Sequence, residues 1–472
     1  MTMLAEKDIE RFDWQAQPAA ASLIDRLLGE CSARCPAIEE FARRLLRETG
    51  TRLVDWVDHV ALPADSEIAG QLGEAGFERS DDRGRVLWRH PAGAFPAIEV
   101  HPKTAWRLVL HVESVADFLV AQRIDGGTPI KGDPWTPLRK ARVASQGSGE
   151  FWVVERHGAR GWEPVEVRPE QVAAALRHHD ALRRRRRHFA QPEQGFDHAL
   201  ALVREAAADL GTHWACDLFF AAEREYWMGR NRASRVQKAR QDLLGLGWAN
   251  HDHHTYRSSR VCFHRLVAVL EALGLECRER FYAGREAGWG AQVLEQPVAG
   301  IVVFADVDLA PEEVFGDFAH QEDSHSCLSP AGHLGTVGLW CRLHGEAFLE
   351  AGMHHLECRF DFQAARNQLE RAGIHVMPPF TDLPYLRQAF TEGAVWPVEA
   401  HRISAALGDG AITPDQARQF AQSGALGSHL ELLQRDQGYK GFNKVGINAI
   451  IRATDPRGER NIGGWVEGTA QA

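Results

Sequence analysis

Two short segments place an arginine four residues after a histidine: Asp252-His253-His254-Thr255-Tyr256-Arg257 and His354-His355-Leu356-Glu357-Cys358-Arg359. On a strand, residues i and i+4 share a face, so His253 with Arg257, and His355 with Arg359, would project into one cavity. A third segment, Leu430-Glu431-Leu432-Leu433-Gln434-Arg435, sets a carboxylate between apolar residues. Two imidazoles and one carboxylate on three strands form a facial ligand set that leaves positions open for substrate and dioxygen. An arginine beside such a centre suits a carboxylate, because its planar fork makes two parallel charge-assisted hydrogen bonds. Alternation turns only one residue of each neighbouring pair inward, so His254 and His354 compete with His253 and His355. The repeated His-to-Arg spacing favours 253 and 355. The opposing reading makes both histidines hydrogen-bonded core residues and pairs Glu431 with an arginine.

Other candidates are weaker. Arg359 is either a second anion anchor or a structural ion-pair partner. Gln292 and Glu295, on the strand that pseudo-symmetry sets opposite Glu431, either line the cavity or lie on a surface strand. His59, His111 and Glu155 stand at roughly equivalent places in the N-terminal half, although no arginine follows His59 by four. The segment from Phe318 to His325 is rich in ligand types but sits in a loop. Asp306 and Asp308, at a strand end, suit turn and capping chemistry.

The elements that must position these residues recur along the chain. Residues 1–50 read as helices, with Leu23, Ile24, Leu27 and Leu28 at helical spacing. Over 51–166 strands are expected at 56–63, 86–90, 97–101, 107–112 and 151–155, with helices at 66–76 and 114–122. Residues 167–247 read as a helical linker containing the run Arg183 to Arg187, expected on a solvated face. The strand-helix-strand texture then returns twice within 248–472. Such repetition is the sequence's most informative organisational feature. The fold class expected is α+β: repeated βαβββ modules forming a half-open barrel, a degenerate N-terminal module pair and a helical linker.

At 472 residues the chain has length for about three domains. Its 44% hydrophobic and 25% charged residues exclude collagen-like and largely disordered classes. Lys and Arg number 54 against 64 Asp and Glu, a net charge of -10 that argues against a nucleic-acid partner. No apolar run reaches membrane-span length. The first ten residues lack the basic and apolar regions of a signal peptide, so a cytoplasmic location is expected. Eight cysteines without a Cys-x-x-Cys pair suggest free buried thiols rather than a zinc knuckle or redox site.

At the residues quoted, the sequence resembles the vicinal-oxygen-chelate superfamily, whose βαβββ modules pair into a half-open barrel around a metal. The stretch from Gly352 to Ile374, with Pro378 and Tyr385, resembles 4-hydroxyphenylpyruvate dioxygenases, as does Leu430 to Arg435 followed by Gly441-Phe442-Asn443. The His-x-x-x-Arg pairs are nearer to the 2-oxoadipate dioxygenase/decarboxylase (hydroxyglutarate synthase) family. The resemblance implies His253, His355 and Glu431 as Fe(II) ligands and Arg257 as the substrate-binding, catalytic arginine; Arg359 and Gln292 stay beside them as further candidate substrate contacts. It departs from the family between Val307 and Leu349, and again at Asn443 to Asn448. The activity expected is an Fe(II)-dependent dioxygenase that oxidatively decarboxylates or hydroxylates a small 2-oxo acid. The alternatives are a glyoxalase-type metal-dependent lyase or isomerase, and a non-catalytic small-molecule binder. Expected partners are a small carboxylate and dioxygen, with a homodimer as the candidate assembly.

Overall fold

Proline at the first turn, where its missing N–H costs nothing, starts both opening helices, α1 (Pro18–Arg34) and α2 (Pro36–Thr49). The computed structural model describes residues 14–457 apart from 65, 83–84, 103, 125–126, 285–286, 315 and 323–333, so the reading of the first ten residues lies outside it. Two modules follow: β1 (Val57–Pro63), α3 (Ser66–Glu74), β2 (Glu78–Asp82), β3 (Arg85–Arg89) and β4 (Ala97–His101), then β5 (Trp106–His111), α4 (Val115–Ala121), β6 (Leu138–Gln146) and β7 (Gly149–Arg156). Their seven strands run β2-β3-β4-β1-β5-β7-β6. Leu23, Leu27 and Phe41 of α1 and α2 bury one face, against Val60, Leu108 and Phe151.

Four helices bridge to the second sheet: α5 (Pro169–Arg183), α6 (Pro192–Leu210), α7 (Thr212–Met228) and α8 (Arg232–Asp242). The arginine run corrects the expectation of a solvated face. It leaves the end of α5, so alternate guanidinium groups turn inward, and the buried Arg185 and Arg187 reach one oxygen of Glu223 at 3.0 and 2.5 Å. The other Glu223 oxygen accepts from the Tyr256 hydroxyl at 3.0 Å, and Arg187 also donates to the Leu349 carbonyl at 3.1 Å. This paired buried charge thus ties the bridge to the two segments that carry the candidate histidines.

The second sheet repeats the modular plan. Its first module is β8 (His251–Arg257), α9 (Phe263–Ala272), β9 (Glu276–Tyr282), β10 (Trp289–Gln296) and β11 (Ile301–Asp308). After α10 (Thr336–His344) and a π-helical turn come β12 (His355–Arg359), α11 (Phe362–Arg371), β13 (Thr381–Leu383) and β14 (Leu386–Phe390). An insertion of β15 (Ala394–Trp396), α12 (Ala400–Gly408) and α13 (Pro414–Ser423) precedes β16 (Ala425–Arg435) and α14 (Lys444–Ala453). The path is β13-β14-β16-β12-β8-β11-β10-β9, with β15 beside β16. In both sheets the first and last strands of a module pair in parallel, and the two first strands meet antiparallel. The fold is therefore α+β, with two mixed sheets and no closed barrel.

Register decides which side chains face the cavity. Tyr256, Val303, Ala305, Leu356, Cys358, Leu430 and Leu432 pack into one core with Phe219 and Phe220 of α7 and Leu266 of α9. Each Val, Leu or Phe among them contributes roughly 1.5–3 kcal/mol when fully buried, and a one-residue slip would expose the whole set. The alternate residues are thereby held on the concave face. Gly50 docks the N-terminal helices on this half: its φ is +68°, its carbonyl accepts from Asp361 N–H at 2.9 Å, and a Cβ there would lie 2.6 Å from Ala365 Cα. Among the described residues no helix is long and apolar enough to cross a membrane. The described cysteines are free thiols, buried except Cys277, and Cys327 lies outside the described residues.

Candidate metal centre

The concave face of β8, β12 and β16 gathers His253, His355, Glu357 and Glu431, all buried, with one donor atom from each within 4.8 Å of the others. His253 Nε2 lies 3.1 Å from Glu357 Oε2, and His355 Nε2 lies 2.8 Å from Glu431 Oε2. The neighbouring histidines face the other way. His254 packs on Phe220, with ring centroids 4.8 Å apart, and the His354 Nδ1–H donates to the Gly427 carbonyl at 3.2 Å. Glu357 was missed in the sequence, although alternation puts residue i+2 on the same face as His355. Gln388 of β14 was also missed; its Nε2 donates to Glu431 Oε1 at 3.2 Å and approaches Glu357 Oε2 at 3.5 Å.

A β-bulge aims His253. Pairing of β8 with β12 passes from His253 opposite Glu357 to His251 opposite Cys358, leaving Asp252 as the extra residue. Asp252 accepts from His253 Nδ1–H at 3.3 Å, from Arg359 Nε at 2.8 Å and from Arg435 Nη2 at 3.0 Å. Burial opposes its charge, but the two arginines prevail and hold the carboxyl well below its usual range. The anionic Asp252 thus orients His253 so that Nε2 faces the cluster, as outer-shell carboxylates do for metal-bound histidines. Asp252→Asn is expected to weaken metal binding about 10- to 100-fold, with folding intact. Metal titration checks this; unchanged affinity would remove Asp252 from the site.

The donor set fits a divalent cation. Burial and the adjacent Glu431 and Asp252 push the Glu357 carboxyl well up, and burial pushes Glu431 up to about 7. Burial also lowers both imidazoles, His355 to about 3, helped by Arg257. Two neutral imidazoles beside two carboxylates reluctant to ionise are an environment that a bound cation reverses.

Arg257 lies on the same face, ~13 Å along the strand from His253. It is buried, its Nε and Nη2 have no hydrogen-bond partner, and its register neighbour is Asp306. Burial pushes Asp306 up to about 7 against the pull of Arg257. Asp308 instead caps α10, accepting from Val337 and Gly338 N–H at 3.2 and 2.9 Å. Arg359 shares the inward face, but its Nε is taken up by Asp252, which makes it a structural partner and corrects the reading of a substrate contact. Gln292 is also corrected: it pairs with Ala305 on the helix-packed face and donates to the Glu279 and Val293 carbonyls at 3.0 and 3.1 Å. Alternation places Val293 and Glu295 on the concave side instead. His320 belongs to an exposed group with Glu271 and Cys277, while residues 323–325 of that loop lie outside the described residues.

The N-terminal sheet preserves the scaffold and not the ligands. Its β1 has the same bulge, with Asp58 extra and His59 following, and Arg156 grips Asp58 at 2.6 and 2.8 Å as Arg435 grips Asp252. Register then sets Arg107, Val109 and Trp152 where the second sheet has His355, Glu357 and Glu431. This corrects the pairing of His59 with His111 and Glu155, which lie further along their strands. Trp162 fills the space, 5.1 Å from the His59 ring and 5.4 Å from that of Trp152.

In the second sheet two βαβββ modules meet through antiparallel first strands, with the candidate donors on the concave face, while the second N-terminal module is one strand shorter. No family model and no curated protein matches the sequence. Among solved structures, a triple variant of 4-hydroxymandelate synthase from Streptomyces coelicolor aligns at 12% identity over 85% of this chain and 98% of its own, with a TM-score of 0.28. Methylmalonyl-CoA epimerase from Mycobacterium tuberculosis aligns at 13% identity over 39% of this chain and 87% of its own, with a TM-score of 0.22. A xylose isomerase-like TIM barrel/4-hydroxyphenylpyruvate dioxygenase fusion protein aligns at 10% identity over 89% of this chain and 56% of its own, with a TM-score of 0.23. Scores this low lend none of those proteins' chemistry to this chain.

Proposed function

We propose that the chain is a non-haem Fe(II)-dependent dioxygenase that oxidatively decarboxylates a small 2-oxo carboxylic acid, with His253, His355 and Glu431 as ligands and Arg257 as carboxylate anchor. The observation that supports this reading is the shared face: imidazole Nε2 atoms and buried carboxylates converge at one end, and a buried guanidinium whose Nε and Nη2 have no hydrogen-bond partner waits at the other. When bound, Fe(II) supplies a centre at which a 2-oxo acid chelates and dioxygen is reduced. The protein's part is positioning. Arg257 fixes the substrate's orientation through bidentate hydrogen bonds. Phe281, Trp289, Phe304 and Phe390, with Ile450 and Ile451 of α14, form an apolar wall that excludes water. Asp306, poised near neutrality beside the anchor, can hold or release a proton there. A cleft of about 550 Å³ between the two sheets reaches His253 past Arg359 and Arg435 on one side and Arg85 and Phe95 on the other, which suits entry of an anion.

Glu357 favours a second reading. Four protein donors leave two positions on a six-coordinate metal, enough for a chelating substrate but not for dioxygen as well. Such a centre suits a glyoxalase-type lyase or isomerase that works without oxygen. Oxygen uptake by anaerobically Fe(II)-loaded protein, offered a panel of 2-oxo acids including 2-oxoadipate and 4-hydroxyphenylpyruvate, separates the two. Substrate-dependent uptake that disappears in Glu431→Ala is the expected result. Turnover that persists without oxygen, or with Zn or Ni in place of iron, would sink the dioxygenase reading.

A further inference from the structure

The fold does not require a carboxylate at position 357. The two modules of the second sheet are related by a pseudo-twofold axis, and the place matching Glu357 on β8 is held by Thr255, whose hydroxyl lies 2.9 Å from His355 Nε2. In the N-terminal sheet the matching residue is Val109. Glu357 is fully buried and stands directly beside Glu431 in the parallel register of β12 and β16, so two carboxylates share one buried site. That juxtaposition is costly unless something cationic offsets it.

The donor cluster and a guanidinium bracket the side chain. On one side Oε2 lies 3.1 Å from His253 Nε2, inside the donor cluster. On the other Oε1 has no hydrogen-bond partner and lies 3.7 Å from Arg435 Nη2. Arg435 is itself fixed, donating to Asp252 at 3.0 Å and to the Tyr439 and Gly441 carbonyls at 3.2 and 2.6 Å. A carboxylate leaving the cluster would therefore meet a preorganised guanidinium without Arg435 having to move.

We propose that Glu357 is an exchangeable fourth ligand, bound to the metal in the substrate-free protein and turned to Arg435 when a chelating 2-oxo acid takes its place. The inference rests on the metal-centre reading above and adds a gate to it. With Glu357 engaged, a six-coordinate ion keeps two water positions. With Glu357 on Arg435 there are three, which is what a bidentate substrate together with dioxygen needs. Dioxygen would then find its position only after the substrate has bound. The gate also reconciles a four-donor cluster with oxygen chemistry.

Mn(II) is a suitable probe, because water-proton relaxation of the loaded protein counts its exchangeable waters and oxalate mimics a bidentate 2-oxo acid. The expected result is two waters in the wild type and three in Glu357→Gln and Glu357→Ala, with Mn(II) affinity in the variants weakened about tenfold or more. On adding oxalate, the wild type should retain one water, like the variants. Loss of every water from the wild type with oxalate would show a fixed fourth ligand and overturn the exchange. Three waters in the wild type, with affinity unchanged in the variants, would overturn Glu357 as a ligand and leave the proposed function standing. Failure of the wild type to bind Mn(II) or Fe(II) at all would overturn both.

Discussion

Replacing His355 by alanine is expected to take bound iron from about one equivalent per chain to a tenth or less, because it deletes a ligand where loss of a group that merely orients a ligand already costs about 10- to 100-fold. His354→Ala should leave the metal in place. The contrast follows from strand alternation: His355 faces Glu431 at 2.8 Å, whereas His354 bonds to the Gly427 carbonyl and its ring centroid lies 5.4 Å from that of Trp340. Metal analysis after gel filtration, with circular dichroism to confirm folding, reads the result. Depletion by His354→Ala instead would mean the strand register is displaced by one residue. The same pair of outcomes applies to His253→Ala and His254→Ala.

Arg257→Met should leave iron content unchanged and lower kcat/KM by about thirtyfold or more, chiefly through KM. Losing a buried guanidinium that grips a carboxylate costs about 2–5 kcal/mol, and methionine retains much of the side-chain volume. Arg257→Lys is expected to rescue little, since an ammonium cannot make the planar bidentate contact. The expectation stands on a buried arginine with Nε and Nη2 unpartnered and only Asp306 as its register neighbour. Lost iron in Arg257→Met, or an unchanged KM, would make Arg257 a structural residue and leave the carboxylate anchor unassigned.

Much of the fold was legible because strands and helices announce themselves through local periodicity. The strand at 97–101 and the helical linker, for example, show in apolar spacing alone. Legibility stopped where a side chain's role depends on partners distant in sequence. The run Arg183 to Arg187 has the composition of a solvated patch, and nothing local reveals Glu223 beneath it. Gln292 went to the wrong face because its orientation depends on the pairing of β10 with β11. Glu357 was legible in principle, since it lies two residues from His355 and alternation puts both on one face.

The sequence by itself determined the modular repeat, the α+β class and the candidate residues His253, His355, Glu431 and Arg257, since short-range spacing specifies which side chains share a strand face. Only the tertiary structure decided that His253, His355 and Glu431 meet, that Glu357 and Gln388 join them, and that the bulge at Asp252 is held by Arg359 and Arg435. It also decided that the N-terminal sheet, with the same bulge and clamp, carries Arg107, Val109 and Trp152 where the ligands would be. The physical reason is that register between strands far apart in sequence is set by burying the apolar face of the whole sheet. No local segment contains that information.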